Sequence, residues 1–323
     1  MEYKKLGQTN LRISCLGFGG CPIGGYGWGK VRDEDSIVAI QKALELGINF
    51  FDTADVYGLG HSEEILAKGL GKYRKKVIIA TKVGVRWDEK EKRSYQDLSP
   101  THIRKAVEDS LGRLQIDCIP LYQIHYPDPK TPVAETMGVL KKLQKEGKIK
   151  YIGCSNFSSK LINKAQKHGR LESTQASYNI LDRAIERSLI PTCHKWKMSL
   201  FVYGPLAQGL LTGKHNLETK FDRNDRRSRE EYKNFHGQRL KANLVIVEKL
   251  KGVALKYNKT PVQVGIRWIL DNFFITSAIL GIKKPEEIEE NMGALGWKLD
   301  PEDREELTKT AIKTYQEYGI TIK

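Results

Sequence analysis

Four residues of unlike chemistry stand at or just beyond the ends of short apolar runs. Asp52 closes Asn49-Phe50-Phe51-Asp52, Lys82 follows Val77-Ile78-Ile79-Ala80-Thr81, His125 follows Ile119-Pro120-Leu121-Tyr122-Gln123-Ile124, and Tyr57 lies one short loop past Asp52. A phenol with an ordinary pKa of about 10 is a poor proton donor at neutral pH, but an ammonium within reach stabilises the phenolate and lowers that value. A useful shift of about two units, ~2.7 kcal/mol, is within what one close cation supplies. An aspartate beside that lysine lets both charges be partly buried without leaving either unpaired. His125 could orient a substrate carbonyl or share the proton transfer. The set has the make-up of a proton donor with its tuning groups.

Such a set works only if the chain brings several strand ends to one rim. The runs above recur as Leu16–Gly19, Tyr151–Cys154, Thr174–Ser177, Leu200–Tyr203 and Ile275–Leu280, giving eight expected strands alternating with segments of helical period. That alternation is the mark of βαβ units and a parallel sheet. Ser99-Pro100, Thr131-Pro132 and Thr260-Pro261 each place a hydroxyl before a proline and predict helix starts, with Gln263 completing a capping box. With 323 residues and no linker or internal repeat, the expectation is an α/β fold, a (β/α)8 TIM barrel forming one domain over residues 1–323. Residues 1–15 read as a β-hairpin closing the barrel bottom, and Lys214 to Asn234, with Asp222-Arg223-Asn224-Asp225-Arg226-Arg227-Ser228-Arg229, reads as either a lid or a solvated charged excursion.

Composition narrows the class. Hydrophobic residues make up 40% and charged residues 29%, which fits neither wholesale disorder nor a membrane protein. No run approaches the roughly 18 apolar residues of a spanning helix, and Met1-Glu2-Tyr3-Lys4-Lys5 begins no apolar leader, so the cytosol is the expected location. Five cysteines without a C-x-x-C pair read as reduced, packed thiols. The net charge of +15 points to an anionic partner.

The strand-end stretches Phe51-Asp52-Thr53-Ala54-Asp55-Val56-Tyr57-Gly58, Thr81-Lys82, Ile124-His125 and Gly153-Cys154-Ser155-Asn156-Phe157 resemble the successive motifs of the aldo-keto reductase superfamily. Ser62-Glu63-Glu64 and the long loop after Lys214 are similar to the bacterial members that include the inositol-operon reductase of bacilli, and to the potassium-channel β subunits. The resemblance covers nearly the whole chain. It implies a cytoplasmic NADPH-dependent oxidoreductase that reduces an aldehyde or ketone, a sugar or other polyol-related carbonyl among them, with Tyr57 as proton donor and Asp52, Lys82 and His125 completing the tetrad. Ser155, Asn156 and Gln175 would hold the carboxamide, and Tyr203 would stack on the nicotinamide. Gly204 and Pro205 open the segment in which Leu206, Gln208, Gly209, Leu211, Gly213 and Lys214 would embrace the pyrophosphate.

No glycine triplet has Rossmann spacing. The phosphate end is expected instead around Gly281, Lys283 and Lys284, just before Pro285 opens a helix whose positive terminus favours an anion. Two lysines there favour NADP over NAD; Glu287, where many members carry arginine, weakens that preference unless its carboxylate points away. Glu290 and Asn291 match the residues expected at the adenine. Tyr26, Trp28, Trp87 and Tyr126 lie in loops at the catalytic rim, where they could wall a substrate pocket. The expected partner is a small carbonyl or alcohol. Scattered basic residues without a recognition motif argue against nucleic acid, and seven histidines without H-x-H or HExxH spacing argue against a metal site. The remaining rival is a cofactor-sensing subunit with little turnover.

Overall fold

A computed structural model describes residues 1–91 and 93–321; Lys92, Ile322 and Lys323 of the expected 1–323 domain lie outside the described residues. The chain begins with an antiparallel hairpin, β1 (Tyr3–Lys5) and β2 (Arg12–Ser14), and then enters β3 (Leu16–Gly19). Helix α1 (Asp33–Glu45), β4 (Phe50–Asp52), α2 (His61–Leu70) and β5 (Ile78–Val83) follow in strict alternation. A second hairpin, β6 (Val85–Asp88) and β7 (Arg93–Gln96), precedes α3 (Pro100–Leu114). Then come β8 (Ile119–Ile124), α4 (Val133–Lys145), β9 (Ile149–Ser155), α5 (Ser159–Ala165), β10 (Ser173–Ser177), α6 (Leu189–Trp196) and β11 (Ser199–Tyr203). Helices α7 (Gly237–Lys256) and α8 (Pro261–Leu270) lead to β12 (Ile275–Gly281), and α9 (Pro285–Met292) and α10 (Pro301–Glu317) end the chain.

Strands β10-β11-β12-β3-β4-β5-β8-β9 close on themselves with parallel pairing throughout, which is the expected (β/α)8 barrel. Successive side chains of a strand alternate faces, so residues two apart share the barrel interior. Phe50, Ile78, Ala80, Leu121, Phe201 and Ile279 fill that interior, and Leu6 and Ile13 of the hairpin cap it from below. Two residues further along the same strands the inward positions become polar: Asp52, Lys82, Gln123 and Tyr203. An apolar plug thus supports a polar floor at the carboxyl ends.

Of the three helix starts expected from hydroxyl-proline pairs, two are capped as read. Ser99 accepts from His102 N, and Thr260 and Gln263 form the expected reciprocal capping box. Thr131 does not cap α4; its hydroxyl donates to Asp128 Oδ2 at 2.7 Å, and Pro132 takes the N-cap position with an extended ψ of 133°. No helix among the described residues is long and apolar enough to cross a membrane.

Candidate active site

The polar floor is built around Lys82, which is 0% exposed. Its ammonium donates to Asp52 Oδ1 at 2.6 Å, to the Thr53 carbonyl at 2.8 Å and to the Tyr57 oxygen at 3.3 Å, so all three donors are used. Asp52 Oδ2 accepts from Gln123 Nε2 at 3.0 Å and Gln175 Nε2 at 2.8 Å. The buried ion pair is therefore fully hydrogen-bonded, the condition under which such a pair is tolerated. The phenol oxygen accepts from Lys82, and its hydrogen meets no acceptor among the described residues, which leaves it available to a ligand.

Tyr57 is aimed by a tight turn. Gly58 takes φ +61° and lies so close to the loop after β3 that an added Cβ would stand 2.2 Å from the Gly24 carbonyl oxygen; only glycine lets the two segments meet. Burial, followed by the influence of Cys21 and Asp52, pushes the phenol well above its ordinary pKa. The net shift is therefore opposite to the lowering expected from Lys82: burial of the phenol outweighs the ammonium beside it, whose charge is also shared with Asp52 at 2.6 Å. Tyr57 is held as a protonated donor. His125 meets it edge-on at 5.6 Å between ring centres and stacks on Tyr126 at 5.1 Å. Burial, and after it the charge of Lys82, hold the imidazole well below its ordinary range, so it is neutral at pH 7. Its Nδ1 is buried without a partner among the described residues.

Next to the tetrad runs a hydrogen-bonded row across β9, β10 and β11. Ser155 Oγ donates to the Gln175 carbonyl at 3.2 Å, Asn156 Nδ2 donates to the His125 carbonyl at 3.0 Å, and the Tyr203 hydroxyl donates to Asn156 Oδ1 at 2.9 Å. A cavity of about 440 Å³ extends from Asp52, Tyr57, His125 and Tyr126 past this row. It continues along Gly204, Pro205, Leu206, Gln208, Gly209 and Lys214 to Gly281, Lys283, Glu287, Glu290 and Asn291. Of the remaining sequence candidates, Lys82 lies behind Tyr57, while Leu211, Gly213, Lys284 and Tyr26 are not on the cavity wall. Trp28 lines it, but Trp87 does not: it sits in β6, paired across the second hairpin with Ser94, rather than in a rim loop.

Sequence reasoning passed over Cys21, Tyr232 and the individual roles of Arg226 and Arg227, all of which line the cavity. The segment after Lys214 crosses the barrel mouth: Arg226 N donates to the Gly27 carbonyl at 3.1 Å and Arg229 Nη2 to the Tyr26 hydroxyl at 3.1 Å. These contacts tie the segment to the rim as a strap, so it is not the solvated excursion that is one of the two expectations for it.

The far end tests the phosphate expectation. Glu287 Oε2 accepts from the backbone N–H of Lys283 at 2.7 Å and of Lys284 at 3.3 Å, so the carboxylate takes donors of the α9 start that a phosphate would otherwise use. Lys283 Nζ meanwhile donates to the Trp28 carbonyl at 3.3 Å. The donor set as a whole, amides and a phenol near the tetrad and cations beyond, fits a nicotinamide dinucleotide.

A second carboxyl lies behind the tetrad. Burial, with the charge of Glu63 next, pushes Asp55 up to about 8, while Glu63 itself accepts from Thr81 at 2.5 Å and Arg113 at 2.6 Å. The folded chain thus keeps a proton that the unfolded chain releases near pH 4, and stability falls as pH rises from about 4 to about 8. The Asp55→Asn variant has no such proton to lose. Its melting temperature is expected to gain on the wild type between about pH 4.5 and 8.5; a constant gap would mean Asp55 titrates normally.

The family model described as the aldo/keto reductase family matches residues 15–312. The chain is 38% identical to aldo-keto reductase YhdN of Bacillus subtilis over 310 residues, covering 95% of this chain and 92% of that one. It is 35% identical to the NADH-specific methylglyoxal reductase of Escherichia coli over 317 residues, covering 94% and 96%. Among solved structures, glycerol dehydrogenase AKR11B4 from Gluconobacter oxydans superposes with a TM-score of 0.88 at 35% identity, covering 97% of this chain and 95% of that one.

Proposed function

The chain belongs to the aldo/keto reductase family of oxidoreductases, and from that premise we propose that it reduces a small polar aldehyde or ketone to the alcohol, with NADPH or NADH as reductant and Tyr57 as proton donor. The observation that carries this reading is the Tyr57 phenol, whose oxygen accepts from Lys82 while its own hydrogen remains free. When bound, the reduced nicotinamide supplies a hydride to the carbonyl carbon. Tyr57 gives its proton to the carbonyl oxygen, and Lys82 steadies the phenolate left behind. Neutral His125 orients the carbonyl by a hydrogen bond, a role an imidazolium with its own positive charge would perform differently. Gln123 and Gln175 keep Asp52 beneath the lysine. Ser155 and Asn156 would hold the carboxamide, with Tyr203 against the ring.

The names of two relatives, a methylglyoxal reductase and a glycerol dehydrogenase, support a small polar substrate. Oxidation of NADPH and NADH across a panel of aldehydes, ketoses and quinones tests the reading; turnover of quinones alone would overturn it. The two nucleotides should differ modestly. A partly exposed lysine beside a phosphate contributes about 0.2–1 kcal/mol, so Lys283, which lines the cavity, favours NADPH by a few-fold while Glu287 opposes it. Glu287→Arg is expected to raise the NADPH:NADH ratio of kcat/KM by roughly tenfold. An unchanged ratio would remove Glu287 from nucleotide selection.

A further inference from the structure

Building on the reductase reading, we propose that the preferred substrate carries an oxyanion, a carboxylate or phosphate, and that Arg226 receives it. The strap presents two adjacent arginines in different states. Arg227 is paired: Nε and Nη2 meet the two oxygens of Asp225 at 2.9 and 2.6 Å, and Nη1 approaches the Gln208 carbonyl at 3.5 Å, beside the segment expected to face the pyrophosphate. Arg226 forms no ion pair with any carboxylate among the described residues. Nη2 donates to the Tyr26 carbonyl at 3.1 Å, Nη1 has no hydrogen bond there, and Nε is buried without a partner.

The guanidinium is nevertheless held in place. It lies 4.9 Å over the Trp28 ring, and an added Cβ on Gly27, at φ +77°, would stand 2.7 Å from Arg226 Nε, so the loop is shaped around the side chain. Arg226 lines the same cavity as Tyr57 and His125. Its charge reaches the Cys21 thiol and the Tyr126 phenol, and Tyr126 stacks on His125. A half-shielded guanidinium without a counter-charge has given up hydration without an ionic partner in return. Its planar fork matches a carboxylate or phosphate, and its position at the tetrad end of the cavity places that anion on the carbonyl substrate.

The test compares wild type, Arg226→Met and Arg226→Lys on two matched pairs: butanal with 4-oxobutanoate, and glyceraldehyde with glyceraldehyde 3-phosphate. The pairs separate carboxylate from phosphate. Wild type is expected to favour at least one charged member by roughly tenfold or more in kcat/KM, mainly through KM. Arg226→Met should abolish that ratio, and Arg226→Lys should restore part of it. A wild-type ratio near one for both pairs overturns the proposal. So does an Arg226→Met variant whose only change is weaker NADPH binding, which would assign the arginine to the cofactor's phosphates. If no aldehyde is reduced, the reductase reading fails separately. The anion site is then read by calorimetric titration of butyrate against butyramide: tighter butyrate binding lost in Arg226→Met supports it, and equal binding overturns it.

Discussion

Replacing Tyr57 by phenylalanine should slow carbonyl reduction by about a hundred- to ten-thousandfold while leaving nucleotide affinity within a few-fold. The substitution removes one oxygen and its hydrogen but keeps the ring that meets His125 edge-on. No other group is placed to take over. His125 is neutral and held well below its ordinary pKa, so at pH 7 it has no acidic proton to lend, and Lys82, though freed of one acceptor, stays behind the ring, bound to Asp52 and the Thr53 carbonyl. Single-turnover rates with saturating NADPH separate the chemical step from binding. A loss of less than about threefold would remove Tyr57 from the donor role.

The second large effect belongs to Lys82→Met, which acts on stability and rate together. Removing the ammonium leaves Asp52 buried with only the amides of Gln123 and Gln175, and breaking one side of a buried pair typically costs about 3–5 kcal/mol. Reduction should fall by roughly a hundredfold or more, and alcohol oxidation, which needs the phenolate, should require higher pH. The double variant Lys82→Met with Asp52→Asn distinguishes the two contributions. It is expected to recover most of the lost melting temperature, because the uncompensated charge is gone, without recovering the rate. Full recovery of the rate would mean that Lys82 only holds the fold together, and an unchanged pH profile that it does not steady the phenolate.

Much of this barrel is legible in the chain because each strand is a short apolar run and each following helix has its own period. The rim residues Asp52, Lys82, His125 and Asn156 are findable for the same reason: they stand where an apolar run stops. The second hairpin escaped notice because Val85–Asp88 and Arg93–Gln96 are half-exposed and carry charges, so their period-two pattern has little apolar contrast. Thr131 looked like a cap because hydroxyl-proline pairs commonly are, yet Asp128 three residues earlier competes for its hydroxyl. The direction of the Tyr57 shift is set first by how deeply the phenol is buried, which no spacing along the chain encodes. The arginine cluster after Asp222 could be read only as steering charge. Telling Arg226 from Arg227 requires knowing that Asp225 pairs with one and that the loop at Gly27 folds around the other.

Transfer of label is the most direct measurement of the proposed chemistry. The protein is incubated with NADPH or NADH carrying deuterium on the transferring face of C4, together with an aldehyde that supports turnover, and the alcohol is analysed by mass spectrometry. Hydride transfer with Tyr57 as proton source predicts one deuterium on the former carbonyl carbon, with the label appearing at a strongly reduced rate in Tyr57→Phe. Alcohol without deuterium, or label arriving equally fast in both proteins, would contradict it.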